Sequence, residues 1–522
     1  MPTGNYDEPM AADRTWTLAL NTLFLSAATC AISLPLGTVL AWLLVRTDLP
    51  GRRAGLLAVG LMLFVPLYLQ AAAWQAGFAV QGWWTLGWQT GVWLTGWAGA
   101  IWVHAMAALP WVALLVGAGF GLVEAELEEQ ALLDASAWKV FRKVTLPGAA
   151  PGIGLAALWV LIVTAGEMTV TDLFAVRTYA EELYTQFAVA PDLDSPPLAV
   201  LPGVLLTGAL VLAGLAVCAR CVPTARPLSH RPGLLFRLGR WRWPAAILAA
   251  AILVLLVGVP VGSLFHKAGI VVSRTDYGYA RSWSPAKCLG TILASPVRYQ
   301  REFGWSVLIC ALSGGTAAAT GCAMAWAAVR SDQRRGNWWR LAPGAILVLL
   351  SLCLALPGPI LGLGAIWLLN APGWGVLNYL YDRSILAPWL VLSVRGLPLA
   401  TLIMWHAFRS VPKELLDCAV LDGAGRLGRF WRVVLPNRLA ALGVSWLGAF
   451  AVALADLAAS ILVVPPGMTT LSIRIFDLLH AGVEDRVAGL CLALLALFGA
   501  TGAAIGWLAK RWRSSDRLHE LA

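Results

Sequence analysis

Carboxylates on two short helical patterns between apolar stretches are the side chains of this chain best placed for chemistry. Glu126-Leu-Glu-Glu-Gln-Ala-Leu-Leu-Asp134 and Glu414-Leu-Leu-Asp-Cys-Ala-Val-Leu-Asp422 repeat one pattern, turn at Ala135 or Gly423, and run on through basic and aromatic residues to Leu146-Pro147 or Leu435-Pro436. An acid near the start of an amphipathic helix, with Arg or Lys after the turn, complements a charged groove and gains from charge-assisted hydrogen bonds. Proline is expected to stop each helix at its Leu-Pro step. Charged segments of this size between apolar helices need a partner outside the lipid, and two copies imply two docking points.

Three further charges, Glu167, Arg395 and Asp456, fall within apolar runs, where an ionised group is costly and marks function by default. Arg395 and Asp456 are a candidate pair, either fixing helix packing by mutual neutralisation or lining a pathway. His104 and His406 stand alone, without carboxylate or thiolate partners at a ligand spacing, so no metal site is expected. Cys218-Ala-Arg-Cys221 has CxxC spacing but only a lone His230 nearby, too little for zinc or redox chemistry. The nine cysteines lie mainly in apolar segments and read as small buried side chains. None of the six lysines follows a glycine, so no GxxxxGK[ST] phosphate loop exists and the chain is not expected to hydrolyse ATP or to carry a cofactor. Pro357-Gly358-Pro359 and Pro465-Pro466-Gly467 are expected to kink helices or make external turns.

The elements that must position these residues are helices in lipid. The chain is 59% hydrophobic and 13% charged, with a mean hydropathy of +0.73, against about 25% charged in an average soluble domain. Its 27 tryptophans and 51 glycines suit membrane interfaces and close helix packing. The net charge of +10 sits in short loops rather than along one soluble face, so it reads as a topology signal and not as a nucleic-acid surface. Runs long enough to span fall near 16–45, 54–78, 97–121, 150–174, 197–219, 244–266, 303–329, 342–368, 386–407, 438–463 and 486–508. That makes an all-α polytopic bundle of eleven spans.

Basic residues gather on one side when 46–53, 122–149, 220–243, 330–341, 408–437 and the tail from Lys510 are cytoplasmic. The N-terminus is then periplasmic, the C-terminus cytoplasmic, and both acidic patterns lie inside. The loop from Lys267 to Arg301 carries six basic residues on the opposite side and is expected to be a small ordered element, with Trp283 and Tyr277 to Tyr279 available to pack. The first apolar stretch is too long, and its amino flank too acidic, for a cleaved signal peptide, so it is expected to stay as an anchor.

The repetition extends beyond the loops. Ala41-Trp42-Leu-Leu-Val-Arg46-Thr-Asp48 answers Ala325-Trp326-Ala-Ala-Val-Arg330-Ser-Asp332, Leu109-Pro110 answers Leu397-Pro398, and Ala165-Gly166-Glu167 answers Leu454-Ala455-Asp456. Two parallel repeats follow, related by an axis along the membrane normal. The expected domains are a tail at 1–15, a first repeat at 16–220 with its loop at 122–149, a basic linker at 221–243, a second repeat at 244–509 with its loop at 408–437, and a tail at 510–522. The first half holds five spans and the second six, so a missing first span would bring the total to twelve.

The two loops resemble the EAA loop of permease subunits of bacterial ABC importers. Glu129-Gln130-Ala131 and Asp417-Cys418-Ala419 stand at the Glu-Ala-Ala positions, Gly423 at the glycine, and the two Leu-Pro steps at the close. The first copy has one residue fewer after Asp134, and Ala135 replaces or borders the glycine. The resemblance implies that each loop forms a coupling helix seated in a cleft of an ATP-binding subunit, with Glu129 and Asp417 engaging a basic group there. It implies two copies of that subunit, a periplasmic substrate-binding protein and alternating access. The fused, duplicated plan, with Arg46-Thr-Asp48-Leu-Pro-Gly51-Arg-Arg53 and Val394-Arg395-Gly-Leu-Pro398, is most similar to ferric-iron permeases; thiamine, polyamine and oxyanion permeases are the alternatives. Two other classes compete. An ion-driven secondary transporter would show broken helices at the midplane and leaves the paired loops unexplained. A membrane enzyme needs clustered His, Asp or Arg near one interface, and here they are dispersed.

Overall fold

The computed structural model describes residues 12–189 and 234–520, apart from 64, 81, 89–90, 122, 276–277, 332–336, 372 and 374, with 205, 208 and 209 isolated among the rest. Continuous apolar sequence produces helices here because only internal hydrogen bonding satisfies the backbone in hydrocarbon. Among the described residues six helices are long and apolar enough to span: Arg14–Arg46, Gly96–Gly121, Gly239–Gly269, Gln300–Val329, Leu386–Arg409 and Asp485–Arg511. Four further apolar stretches are bent pairs, so the count reaches ten if each pair is one span. The expected span at 197–219, the CxxC at Cys218 to Cys221 and most of the N-terminal tail lie outside the described residues.

Several expected spans are interrupted, one of them at the expected Pro357-Gly358-Pro359 kink. The stretch 54–78 is two helices, Arg52–Met62 and Leu67–Phe78, the second entered through Pro66 in extended conformation. The stretch 342–368 divides at Pro357, with Asn337–Ala355 on one side and Gly358–Leu369 on the other. Helices Ala150–Ala165 and Leu439–Ala455 end well before 174 and 463, because Glu167 and Asp456 turn the chain by bonding backbone N–H groups beyond them. Broken helices therefore do not separate an ion-driven transporter from the other readings.

Proline also acts differently from expectation. Each Leu-Pro step lies inside a helix that continues through it, and the break comes at Ala149 or Arg438. The five residues before each step, Phe141–Thr145 and Phe430–Val434, form a π-turn, in which Leu146 and Leu435 bond five residues back to Phe141 and Phe430. The widened turn makes room for a ring that would collide with the carbonyl four residues earlier. Val254–Gly258 does the same before Val259-Pro260.

The chain forms two compact units, Met1–Arg298 with Ile475–Leu494, and Tyr299–Arg474 with Leu495–Ala522. In the first, helices Ala12–Arg46, Gly96–Gly121 and Ala150–Ala165 pack on one another; in the second, Gln300–Ser331, Leu386–Arg409 and Leu439–Ala455 do so. Small residues set the approach: a Cβ on Gly152 would stand 2.7 Å from the Gly119 Cα, and the aligned Ala407 and Ala441 are fully buried. The span 244–266, which sequence order puts at the head of the second repeat, packs within the first unit against Leu67–Phe78, and Trp83 Nε1 of the following helix Trp83–Trp88 donates to Ser263 Oγ at 3.1 Å. After it, strands Ile270–Thr275 and Gly278–Trp283 pair antiparallel and lead to the amphipathic helix Pro285–Arg298. Tyr277 and the side chain of Tyr279 lie outside the description.

Candidate functional site

The first loop helix, Ala125–Asp134, has two acids in its first turn and hides little of itself: Ala125 and Glu128 are its buried residues. Glu128 shares a face with Ala131, three residues on, whereas Glu126, Glu129 and Gln130 point away and are exposed. The Glu128 carboxylate is spent inside the unit. Arg46 Nη2 donates to Oε2, and Thr145 Oγ1 donates to Oε1 at 2.6 Å. Arg46 and Glu128 are 3% and 0% exposed, so the pair is shielded from water.

The second loop helix, Lys413–Leu421, carries Asp417 and Cys418 exposed and Ala419 buried. It ends at Gly423, whose φ of 74° lets Gly423 N–H reach Val420 O and Ala424 N–H reach Ala419 O. The first helix ends without that left-handed residue: Ala135 is extended, with φ −141° and ψ 152°, and Ser136 opens the next helical turn. One residue fewer and no glycine thus give a different turn of similar length. Where the first loop has Glu128 and Thr145, the second has Leu416 and Val434, both packed in a cluster with Cys322, Met404 and Phe408. Its polar anchor is Arg438, 2% exposed, whose Nη2 donates to Ser410 O at 2.7 Å at the end of helix Leu386–Arg409.

Aromatic rings brace both loops alike. Trp42 lies 4.7 Å from Phe141, and Trp326 lies 5.3 Å from Phe430. Phe120 and Phe408 complete each set at 6.4 and 6.1 Å. Beyond this braced base, each loop offers bare apolar side chains: Leu127, Leu133 and Trp138 on the first, Val420, Leu421, Leu427 and Trp431 on the second.

At the far ends of the loop-bearing helices stand the two acids expected inside the bilayer. Each lies just past its helix rather than within it. Asp456 Oδ1 accepts from Ala459 N–H at 2.8 Å, while its Oδ2 is 2.8 Å from Arg395 Nε. Arg395 Nη1 donates to Leu356 O at 3.1 Å, a carbonyl left over where Ile360 and Leu361 both bond to Pro357 O instead. A small cavity lined by Ser306, Cys310, Ser460, Thr470 and Ser472 opens beside Asp456. Glu167 accepts from Thr169 and Val170 N–H at 2.7 and 2.9 Å, and His104 Nε2 lies 3.4 Å from its Oε2. His104, expected to lack a carboxylate partner, therefore has one. Its Nδ1, 2.8 Å from Ala100 O, must carry a proton, since a carbonyl only accepts.

Sequence reading missed Glu128, Arg46, Thr145, Arg438 and the His104 contact. Helical spacing from Ala125 and Ala131 is a signal that could have found Glu128; the others depend on tertiary packing. A further cluster lies around helix Tyr179–Val189. Arg14 and Arg177 pair with Glu182, His480 Nε2 lies 3.0 Å from Asp172, and burial pushes the Glu181 carboxyl up, with Glu182 and Asp172 adding to the rise against the opposing pull of Thr185 and Arg177. Among the described residues no group of three or more His, Cys, Asp or Glu could hold a metal ion.

Residues 319–514 match a family model described as "binding-protein-dependent transport system inner membrane component". That stretch includes the second loop and not the first. The chain is 26% identical over 222 residues to the putrescine transport system permease protein PotI of Escherichia coli K12, covering 42% of this chain and 75% of that protein. It is 38% identical over 68 residues to the sulfoquinovosyl glycerol transport system permease protein SmoH of Agrobacterium fabrum, covering 13% of this chain and 22% of that one.

Proposed function

We propose that this chain, the permease subunit of an ABC importer and a multi-pass membrane protein, receives two copies of an ATP-binding subunit, one on each loop. The chain itself is a non-enzymatic transport component, and ATP is hydrolysed by its partner. The observation that carries the two-site reading is the matched construction of the loops. Each has an exposed acid on a short helix, a π-turn just before Leu-Pro, an aromatic brace beneath, and apolar side chains left bare at the tip. A cleft with an apolar floor and a basic rim is the complementary surface.

In this reading Glu129, Gln130, Ala131 and Ala135 form the first contact, and Asp417, Cys418, Ala419 and Gly423 the second. Both lie on the cytoplasmic side, with the N-terminus periplasmic and the C-terminus cytoplasmic. A periplasmic binding protein delivers substrate to the opposite side, and closure of the ATPase pair moves the two repeats between inward and outward openings. Glu167, Arg395 and Asp456 lie toward the periplasmic ends of their helices, where they shape the pathway or its closure.

For substrate, a polyamine is the first to test, because the matched relative covered over most of its length bears putrescine in its name. Ferric iron, favoured by the fused plan of the sequence, comes second; neither matched relative is named for iron.

The test reconstitutes the full chain in sealed proteoliposomes with a candidate ATP-binding subunit and a candidate putrescine-binding protein. The wild type should retain that subunit, and Glu129→Ala with Asp417→Ala should abolish coupling of hydrolysis to putrescine uptake while the chain stays in the membrane. Coupled uptake by the double variant would overturn the two-contact reading.

A further inference from the structure

The Glu128 carboxylate does more than anchor its own helix, because Arg46 is a junction. Arg46 closes the span Arg14–Arg46, and its carbonyl accepts Phe236 N–H at 2.8 Å. Thr47 and Phe236 form a parallel bridge, Asp48 Oδ1 accepts Leu238 N–H at 2.9 Å, and the Phe236 ring meets Phe141 edge-on at 6.4 Å in the π-turn of the first loop. Phe236 and Leu238 lead directly into the span Gly239–Gly269. Loop helix, π-turn and the ends of two spans therefore converge on one buried pair. At the aligned positions the second loop has Leu416 and Val434, where packing replaces charge.

We propose that Glu128 and Arg46 form a positioning lock that belongs to the first repeat, fixing its loop helix and tying that helix to the spans Arg14–Arg46 and Gly239–Gly269 together. The two docking loops are then unequal in kind: the first is held by a buried ion pair to a residue whose backbone also bonds the segment leading into a second span, the second by apolar packing with Arg438. A push on the first loop moves both spans as one piece, because an ion pair this deeply shielded has no hydrated alternative partner. The mechanical consequence rests on the coupling reading above; the lock itself does not.

Amide exchange of the full chain in nanodiscs tests the lock without any partner. Glu128→Gln and Arg46→Met should each speed exchange across 125–134 at least ten-fold, leaving 413–421 unchanged as an internal control. Their combination should be no faster than either alone, as for members of one interacting pair. Thr145→Val, which removes one hydrogen bond and keeps the ion pair, should produce a smaller acceleration of the same segment, and it keeps the test decisive where the charge variants misassemble. Unchanged exchange at 125–134, or additive effects in the double variant, would overturn the proposal. With the ATP-binding subunit bound, Glu128→Gln should lower the maximal ATPase rate about ten-fold at an unaltered KM for ATP, a split that general loosening would not give; an unaltered maximal rate would overturn the mechanical consequence. If exchange behaves as expected and the wild type retains no ATP-binding subunit, the lock stands and the coupling reading falls.

Discussion

Arg395 is where one side chain carries the most structure. It satisfies a carbonyl orphaned by the break at Pro357 and neutralises an acid that itself caps the turn after Ala455. Replacing it with Met removes the donor to Leu356 O and the counter-ion of Asp456, which is 13% exposed, and should cost roughly 3–5 kcal/mol, the range for breaking a buried pair. Thermal unfolding in detergent should show the loss, and Arg395→Met with Asp456→Asn should lose less than the two single losses together; equal stability of Arg395→Met and wild type would refute the latch. Glu181 makes a pH-dependent case. Burial raises its carboxyl in the folded state, so the folded chain binds this proton more tightly than the unfolded one. The group's contribution to stability is then fully present below the unfolded glutamate value of about 4.3 and is lost as pH rises through the folded value. Glu181→Gln should therefore raise the melting temperature at neutral pH, leave it unchanged well below that window, and flatten the dependence between; a lower melting temperature at neutral pH would contradict this.

Among the elements, the loop turns show how local chemistry limits what sequence patterns reveal. Gly423 is required by its φ of 74°; a β-branched residue there meets the left-handed penalty of about 1–2 kcal/mol. Gly423→Val should loosen 413–421 in amide exchange, while Ala135→Gly, at an extended position, should leave 125–134 close to wild type. The reverse order of sensitivity would mean the turns were misassigned. The glycine was legible in sequence because few residues adopt that conformation. The π-turns were not: Phe-Arg-Lys-Val-Thr and Phe-Trp-Arg-Val-Val carry no local mark of five-residue hydrogen bonding, and proline alone reads as a stop. The same holds for the bend at Pro66, where hydropathy is continuous across the break, whereas Pro357-Gly358-Pro359 marks its own. Hydropathy reports burial in lipid, and a bent segment is as apolar as a straight one.

At the scale of the whole molecule, each unit is built on the same three-helix core, with small residues at the crossing and a Trp-Phe brace under its loop. Trp42 and Trp326, found first as matching letters, prove to be the pieces that seat the loops. Sequence alone determined that this is a helical multi-pass membrane protein, because composition, proline and glycine placement and hydropathy act locally and need no knowledge of distant contacts. Only the tertiary structure decided that span 239–269 packs within the first unit, that His104 faces Glu167, and that Glu128 rather than its exposed neighbour Glu129 is consumed inside. Those outcomes depend on which side chains from distant parts of the chain share a water-free space, where a charge is costly until a partner arrives.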